Sequence, residues 1–264
     1  MEVNNFARFF DFCFFDNDSC VCGECWTMKL RCVRSCLLLV TLLHCCAHQS
    51  LAQAVDDVGI WNAAFAQGDF DVARFKSDKL KWWFDGHLRF LDDTGGFHQS
   101  IVRPGIGWAL TERSALWAGY GWIRTSTLSG LEIDEHRIWQ QWTASKKTEV
   151  WKVALRSRFE QRLAETGNDT GLRFRQFFRL QHNLPEFPRL TLVGWDELFY
   201  NLNDTDWGAQ SGFNQNRVFA GIGYKPSQHA RWRVEVGYLN QVVEVPFGSD
   251  RNNHILAFNF FRRP

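Results

Sequence analysis

Glu149 to Arg162 reads EVWKVALRSRFEQR, and its pattern at a period of two decides the fold. Trp151, Val153, Leu155 and Phe159 share one side, while Lys152, Arg156, Arg158, Glu160 and Arg162 share the other. Successive side chains of a strand point to opposite faces of its sheet, so this is a strand with one oily and one charged face. A helix would scramble the separation by placing Trp151 on a face with Leu155 but also with Arg158 and Arg162. The stretch is about twice the usual strand length of roughly five or six residues. Long strands of this kind, repeated along a chain, form the wall of a barrel with lipid outside and water inside.

The parity recurs outward from this stretch in both directions. Upstream, Leu80 to Leu91 sets Leu80, Trp82, Phe84, Leu88 and Phe90 against Lys81, Asp85, His87 and Arg89. Phe97 to Leu110 sets Val102, Ile106, Trp108 and Leu110 against Gln99 and Arg103. Ser114 to Arg124 carries Leu116, Ala118, Tyr120 and Trp122 outward, with Gly119 and Gly121 inward. Ile133 to Thr143 has Glu135, Arg137 and Gln141 opposite Ile138 and Trp142. Downstream, Gly171 to Gln181 opposes Arg173, Arg175 and Arg179 to Leu172, Phe174, Phe178 and Leu180. Leu190 to Asn201 is apolar on both faces, with Glu197 and Asn201 sharing one. Phe213 to Lys225 places Gln215 and Arg217 opposite Val218, Ala220, Ile222 and Tyr224. Arg231 to Val242 sets Trp232, Val234, Val236 and Tyr238 against Arg231, Arg233 and Glu235. Asn252 to Phe261 aligns Leu256, Phe258 and Phe260.

Alternation alone also suits a soluble sandwich or a soluble periplasmic barrel. Three features point to a membrane instead. Charges fill the polar faces in mid-strand, as a hydrated interior requires. Trp and Tyr recur near strand ends on the apolar faces, as an interfacial girdle would. The chain also closes on an aromatic-rich amphipathic strand, although Arg262-Arg263-Pro264 follows its last aromatic. The connections Glu244 to Arg251, Leu202 to Gly212 and Thr125 to Glu132 are long. Pro226 to Ala230, Ala144 to Thr148 and Thr111 to Arg113 are short, an alternation typical of outer-membrane barrels. Ten strands follow from Leu80 onward. Two weaker ones in Val58 to Ser77, with Gly68-Asp69 as their turn, would make twelve. The expected fold is an all-β, antiparallel, up-and-down transmembrane β-barrel of about twelve strands, with ten as the alternative.

The first 54 residues read differently. All eight cysteines precede residue 54, and Met28 opens a second start. Lys29, Arg31 and Arg34 form a basic n-region, Cys36 to Cys46 an apolar core, and Ala52-Gln53-Ala54 an A-x-A cleavage site. That order is a secretory signal peptide, too short in its apolar run to span a bilayer. Residues 1–54 are thus expected to be an upstream extension plus a cleaved signal, and residues 55–264 the barrel. Cys20-x-Cys22-x-x-Cys25 falls in the part expected to be removed, so neither a zinc site nor any other cofactor is expected. Removing four basic and five acidic leader residues from totals of 30 and 29 leaves 26 against 24. A net charge of +2 offers no basic surface for nucleic acid.

Five segments carry a family resemblance in fixed order: Glu135-His136-Arg137, Arg156-x-Arg158-Phe159-Glu160-Gln161-Arg162, Arg173-Phe174-Arg175, Glu197-Leu198-Phe199-Tyr200-Asn201 and Asn216-Arg217-x-x-x-Gly221-x-Gly223-Tyr224. Together they resemble a bacterial family of outer-membrane barrels catalogued as domain of unknown function 2490. The resemblance covers nearly all of Val58 to Phe261 and implies location and fold, with no activity to carry over.

No phosphate loop, zinc-protease helix or nucleophile elbow is present. The chemistry concentrates in charges of inward parity. These are Arg89, Arg103, Glu135, Arg137, Arg156, Arg158, Glu160 and Arg162, then Arg173, Arg175, Arg179, Glu197, Arg217, Arg233 and Glu235. They form either a lumen packed by Arg–carboxylate pairs or an anion-attracting lining for a narrow pore or binding cavity. An alternative is a hydrolase acting on lipid or lipopolysaccharide, with His98, Ser100 and His136 on apolar-parity faces. A nucleophile needs its base within hydrogen-bond reach, and residues 98 and 136 lie on strands separated by a whole strand. The expected partners are outer-membrane lipid, the barrel-assembly machinery acting through the C-terminal strand, and a small anionic solute.

Overall fold

The computed structural model describes residues 54–72, 75–127, 129–227, 229–246 and 248–262. Residues 1–53, on which the cysteines, the expected upstream extension and the expected signal fall, lie outside the described residues, as do Arg263 and Pro264. Period-two alternation is realised in eleven strands. They are β1 (Val55–Val72), β2 (Phe75–Leu91), β3 (Gly96–Thr111), β4 (Ser114–Ser126), β5 (Glu132–Lys147) and β6 (Trp151–Ala164), followed by β7 (Thr170–Asn183), β8 (Leu190–Asn201), β9 (Gly212–Tyr224), β10 (Trp232–Val243) and β11 (Arg251–Arg262). Each pairs antiparallel with the next, and the sheet closes where β1 runs parallel to β11, from Val55↔Arg251 to Ala66↔Arg262. Closure leaves no open sheet edge, so each strand has a pairing neighbour on both sides.

The fold class is the expected all-β barrel, but it has eleven strands and one parallel seam. Gly68-Asp69 is the reason. Gly68 stands opposite Trp82 in the β1–β2 register, and the Trp82 indole occupies the space beside it that a Cβ would fill. Asp69 pairs with Lys81 of β2, and a register shift follows between Asp69 and Phe70. Two residues that suit a turn instead relieve an indole and bind a lysine within one continuous strand. The connection Ala144 to Thr148 also moves: β5 continues to Lys147, and the turn is residues 148–150.

The topology assigns the connections to two rims. One carries 92–95, 127–131, 165–169, 202–211 and 244–250; the other carries 112–113, 148–150, 184–189 and 225–231. The long loops share the first rim. Its connections hold eight acidic residues (Asp92, Asp93, Glu165, Asp169, Asp204, Asp206, Glu244, Asp250) and no Lys or Arg. Two of these loops are tied together. The Asp206 carboxylate accepts from the backbone N–H groups of Asn168 (2.8 Å) and Asp169 (3.1 Å), and the Trp207 indole donates to the Asp169 carbonyl (2.8 Å). Those donors hold the Asp206 carboxyl below the usual carboxylate range.

Every strand exposes large apolar side chains on its outer face, while Gln140, Ser157, Gln161, Gln176, Asp196 and Asn216 also take outward parity and hydrogen-bond in pairs there. Ile60, Leu88, Ile106, Leu116, Ile138, Leu163, Phe174, Leu192, Ile222, Val236 and Leu256 are all exposed. Trp108, Trp151, Tyr224 and Trp232 are exposed close to the short-turn rim. Two apolar clusters lie inside the barrel. Trp61, Val193, Phe219, Leu239, Ile255 and Ala257 form one, with Trp195 against it; Ala115, Trp117 and Trp139 form the other, with Trp83. The indole of Trp139 lies over Gly105 and Gly119, where a Cβ on either glycine would collide with it.

Candidate functional site: an arginine-filled lumen

Inward parity brings the sequence-selected charges together. Arg89, Arg103, Arg137, Arg158, Glu160, Arg173, Arg175, Glu197, Arg217, Arg233 and Glu235 are all buried. The side chains of Glu135, Arg156, Arg162 and Arg179 keep only 11–14% of their surface exposed. Burial of an ion is tolerable only when partners replace its water, so each carboxylate here collects guanidinium groups.

Toward the long-loop rim, Glu135 accepts paired bonds from Arg137 (2.6 and 2.9 Å) and Arg162 (2.6 and 3.0 Å). At mid-height, Glu160 accepts from Arg173 (2.6 Å) and Arg175 (2.6 Å). Arg175 also donates to Glu197 (2.7 Å), which takes a further bond from Arg156 (2.6 Å). Arg158, fully buried, donates to Gln141 (2.7 and 2.9 Å), lies 3.7 Å from Glu160 and stacks over Trp139. Glu235 pairs with Arg179 and with Arg233 (2.7 Å), and both guanidiniums lie over Phe261.

The network includes groups the sequence reading did not select. Asp85 accepts from Arg103 (2.7 Å), the Trp83 indole (2.6 Å) and His87 (2.9 Å). Its inward parity was visible, but its role as the carboxylate for Arg103 needed the cross-strand register. Thr191, Val193, Glu197, Phe199 and Asn201 take the inner face of β8, which settles that strand's ambiguous pattern.

Two arginines stand apart. Arg89 donates to Gln99 (2.8 Å) and Arg217 to Gln215 (3.1 Å). Neither is in an ion pair with a carboxylate among the described residues. Both rest on the Trp61 ring, with guanidinium carbons 4.0 and 5.0 Å from its centroid. Among these groups eleven arginines share five carboxylates that pair with guanidinium (Asp85, Glu135, Glu160, Glu197, Glu235).

A cavity of about 250 Å³ opens below this layer. Its walls run from Arg89, Arg175 and Arg217 at the inner end to Lys152, Gln181 and Arg262 near the short-turn rim.

The hydrolase alternative finds no assembled site. His136 hydrogen-bonds the Tyr120 hydroxyl and stacks on its ring, on the strand beyond the one Ser100 pairs with. No hydrogen bond joins Ser100 to His98 or His136 among the described residues. No group of His, Cys, Asp and Glu among them is arranged to hold a metal ion. No helix among them is long and apolar enough to cross a membrane, which says nothing of crossing by strands.

Residues 58–253 match the family described as "Protein of unknown function (DUF2490)". An uncharacterised protein of Methylorubrum extorquens is 33% identical over 232 residues, covering 86% of this chain and 97% of that protein. Among solved structures, "LpxR from Salmonella typhimurium" is similar at a TM-score of 0.40 and 8% identity, over 70% of this chain and 83% of that one. "Outer-membrane expressed OmpT of Vibrio cholerae" is similar at 0.37 and 12%, over 62% of this chain; the match spans 55% of the OmpT chain. Likenesses this weak say nothing about location or activity.

Proposed function

The chain belongs to the DUF2490 family, and we propose that it is an outer-membrane β-barrel with a lumen closed at mid-height, a binding barrel and not a diffusion pore. The apolar outer face supports the membrane assignment. Soluble monomers rarely expose contiguous apolar patches beyond a few hundred Å², whereas here every strand exposes large apolar side chains. Aromatic residues near the short-turn rim suit an interfacial girdle. The short-turn rim would face the periplasm and the acidic long-loop rim the exterior, with β11 as the strand read by the barrel-assembly machinery.

One observation carries the closed-lumen reading. Arg158, Glu160 and Glu235 have no exposed surface, and Phe199 and Phe219 almost none. Charges lining a water-filled channel keep contact with water; these are sealed by one another and by aromatic rings. Purified protein in planar bilayers is expected to give no stepwise conductance in 1 M KCl. Regular open-channel steps that persist in independent preparations would refute the closed lumen.

A further inference from the structure

The cavity beneath the arginine layer contains a mismatch between donors and acceptors. The Nε–H groups of Arg89, Arg156 and Arg217 and the indole N–H of Trp61 are buried without a hydrogen-bond acceptor among the described residues. All four residues line the cavity. Arg89, Arg217 and Trp61 are more than nine-tenths buried. A buried donor left unpaired is costly, and native interiors rarely keep several together. Here four such donors belong to residues that line one cavity, two of them on arginines with no carboxylate in ion-pair contact.

The missing chemistry is therefore an acceptor carrying negative charge. From the two distances to the Trp61 ring, the guanidinium carbons of Arg89 and Arg217 are at most 9.0 Å apart. Both arginines line the same cavity, and guanidinium forks match the two oxygens of a carboxylate. Aromatic rings also line the space, those of Phe65, Phe177, Trp195 and Phe261, and Glu197 is the one carboxylate residue in its wall. Phe177 and Trp195 pack together at 5.5 Å, and Phe65 stacks on Phe261 at 4.9 Å. The volume suits a small guest. A cavity of about 150 Å³ holds a benzene ring, so about 250 Å³ accommodates a ring with one substituent.

We propose that the short-turn side of the lumen is a binding site for a small aromatic carboxylate. Its anionic head sits between Arg89 and Arg217, and its ring lies among Phe65, Phe177, Trp195 and Phe261. The site rests on the closed-lumen reading, because an open channel would give these donors water.

Isothermal titration of the full chain in detergent micelles tests the site with benzoate as the probe. Benzyl alcohol (ring without charge) and acetate (charge without ring) are the controls. Benzoate is expected to bind once per barrel with a dissociation constant below about 1 mM, as a guest of this size allows. Both controls should bind at least tenfold more weakly. Arg217→Gln and Arg89→Gln should each weaken benzoate about tenfold or more, and Trp61→Phe several-fold, with Arg217→Lys in between. Tenfold is the loss expected on removing a hydrogen bond to a charged group. Should one glutamine variant fail to fold, the other and Trp61→Phe still decide. No saturable benzoate signal from folded protein would overturn the site. So would equal affinity for benzyl alcohol, or benzoate binding indifferent to these variants. Conductance separates the two levels: a silent bilayer without benzoate binding removes only the site, whereas open-channel steps remove the reading beneath it.

Discussion

At the residue scale, the lumen separates arginines that stabilise the barrel from arginines that burden it. Glu160 is the shared acceptor of Arg173 and Arg175, so Glu160→Gln would leave buried Arg173 without its carboxylate and Arg175 with Glu197 alone. Breaking a buried pair in this way costs about 3–5 kcal/mol. A loss of that size is expected in urea unfolding followed by tryptophan fluorescence. Arg217→Gln should leave stability unchanged or raise it, because it removes a buried charge with no ion-paired carboxylate. At the long-loop rim, Asp206 gives a pH dependence of known sign. Its carboxyl is held low by backbone N–H donors of Asn168 and Asp169, so the clamp stabilises the folded loops above the ordinary carboxylate pKa. That contribution is lost as pH falls below about 4 toward the lowered folded value. Limited proteolysis within 202–211 is expected to accelerate as pH falls through that window, and Asp206→Asn should show the fast cleavage already at pH 7.

These charged positions were legible in the sequence because strand parity alone sends a side chain inward or outward. All fifteen selected charges do lie on inward-parity positions of the described strands. Pairing was not legible. Arg179 meets Glu235 and Arg156 meets Glu197 across the lumen, through contacts that no single strand displays. The orphaned donors around Trp61 were hidden for the same reason.

At the scale of elements, the wall was readable wherever one face was polar, and not where both were apolar. β8 is ambiguous because Val193 and Trp195 point into an apolar patch inside the barrel, where a wet lumen would demand polar groups. Trp117 and Trp139 face inward for a related reason, and the glycines beside them (Gly107 against Trp117, Gly105 and Gly119 against Trp139) are the available signal. The seam was misread because Gly68-Asp69 has turn chemistry, while the local partner that keeps it extended, Trp82 with Lys81, sits on the next strand. The parallel seam makes a direct prediction. Residues 55–264 contain no cysteine, so Ala64→Cys with Phe260→Cys places one reactive pair at a β1–β11 partner position. Paired positions on adjacent strands fall within the Cα separation a disulfide tolerates, about 4.4–6.8 Å. An intramolecular disulfide is expected under mild oxidation, seen as a shift on non-reducing gels. Failure to form it in folded protein would count against the eleven-strand closure.

At the scale of the molecule, the charge pattern and the apolar face give the barrel two distinct ends and a lipid-compatible waist. One rim's loops carry eight carboxylates and no Lys or Arg, while the cavity that opens toward the other end has arginines and aromatic rings in its wall. The net charge of the chain, +1, conceals this separation. A modest overall charge is therefore no guide to the local fields, which follow from the alternate placement of arginine on strands and aspartate in loops. The central claim is that the apolar face meets lipid, and it is tested most directly by carbonate-washed membrane fractionation read on an SDS gel with and without boiling. The account predicts a protein that sediments with outer membranes, needs detergent for extraction, and migrates at a different position unheated than heated. Recovery in the soluble fraction without detergent, at one mobility under both conditions, would contradict it.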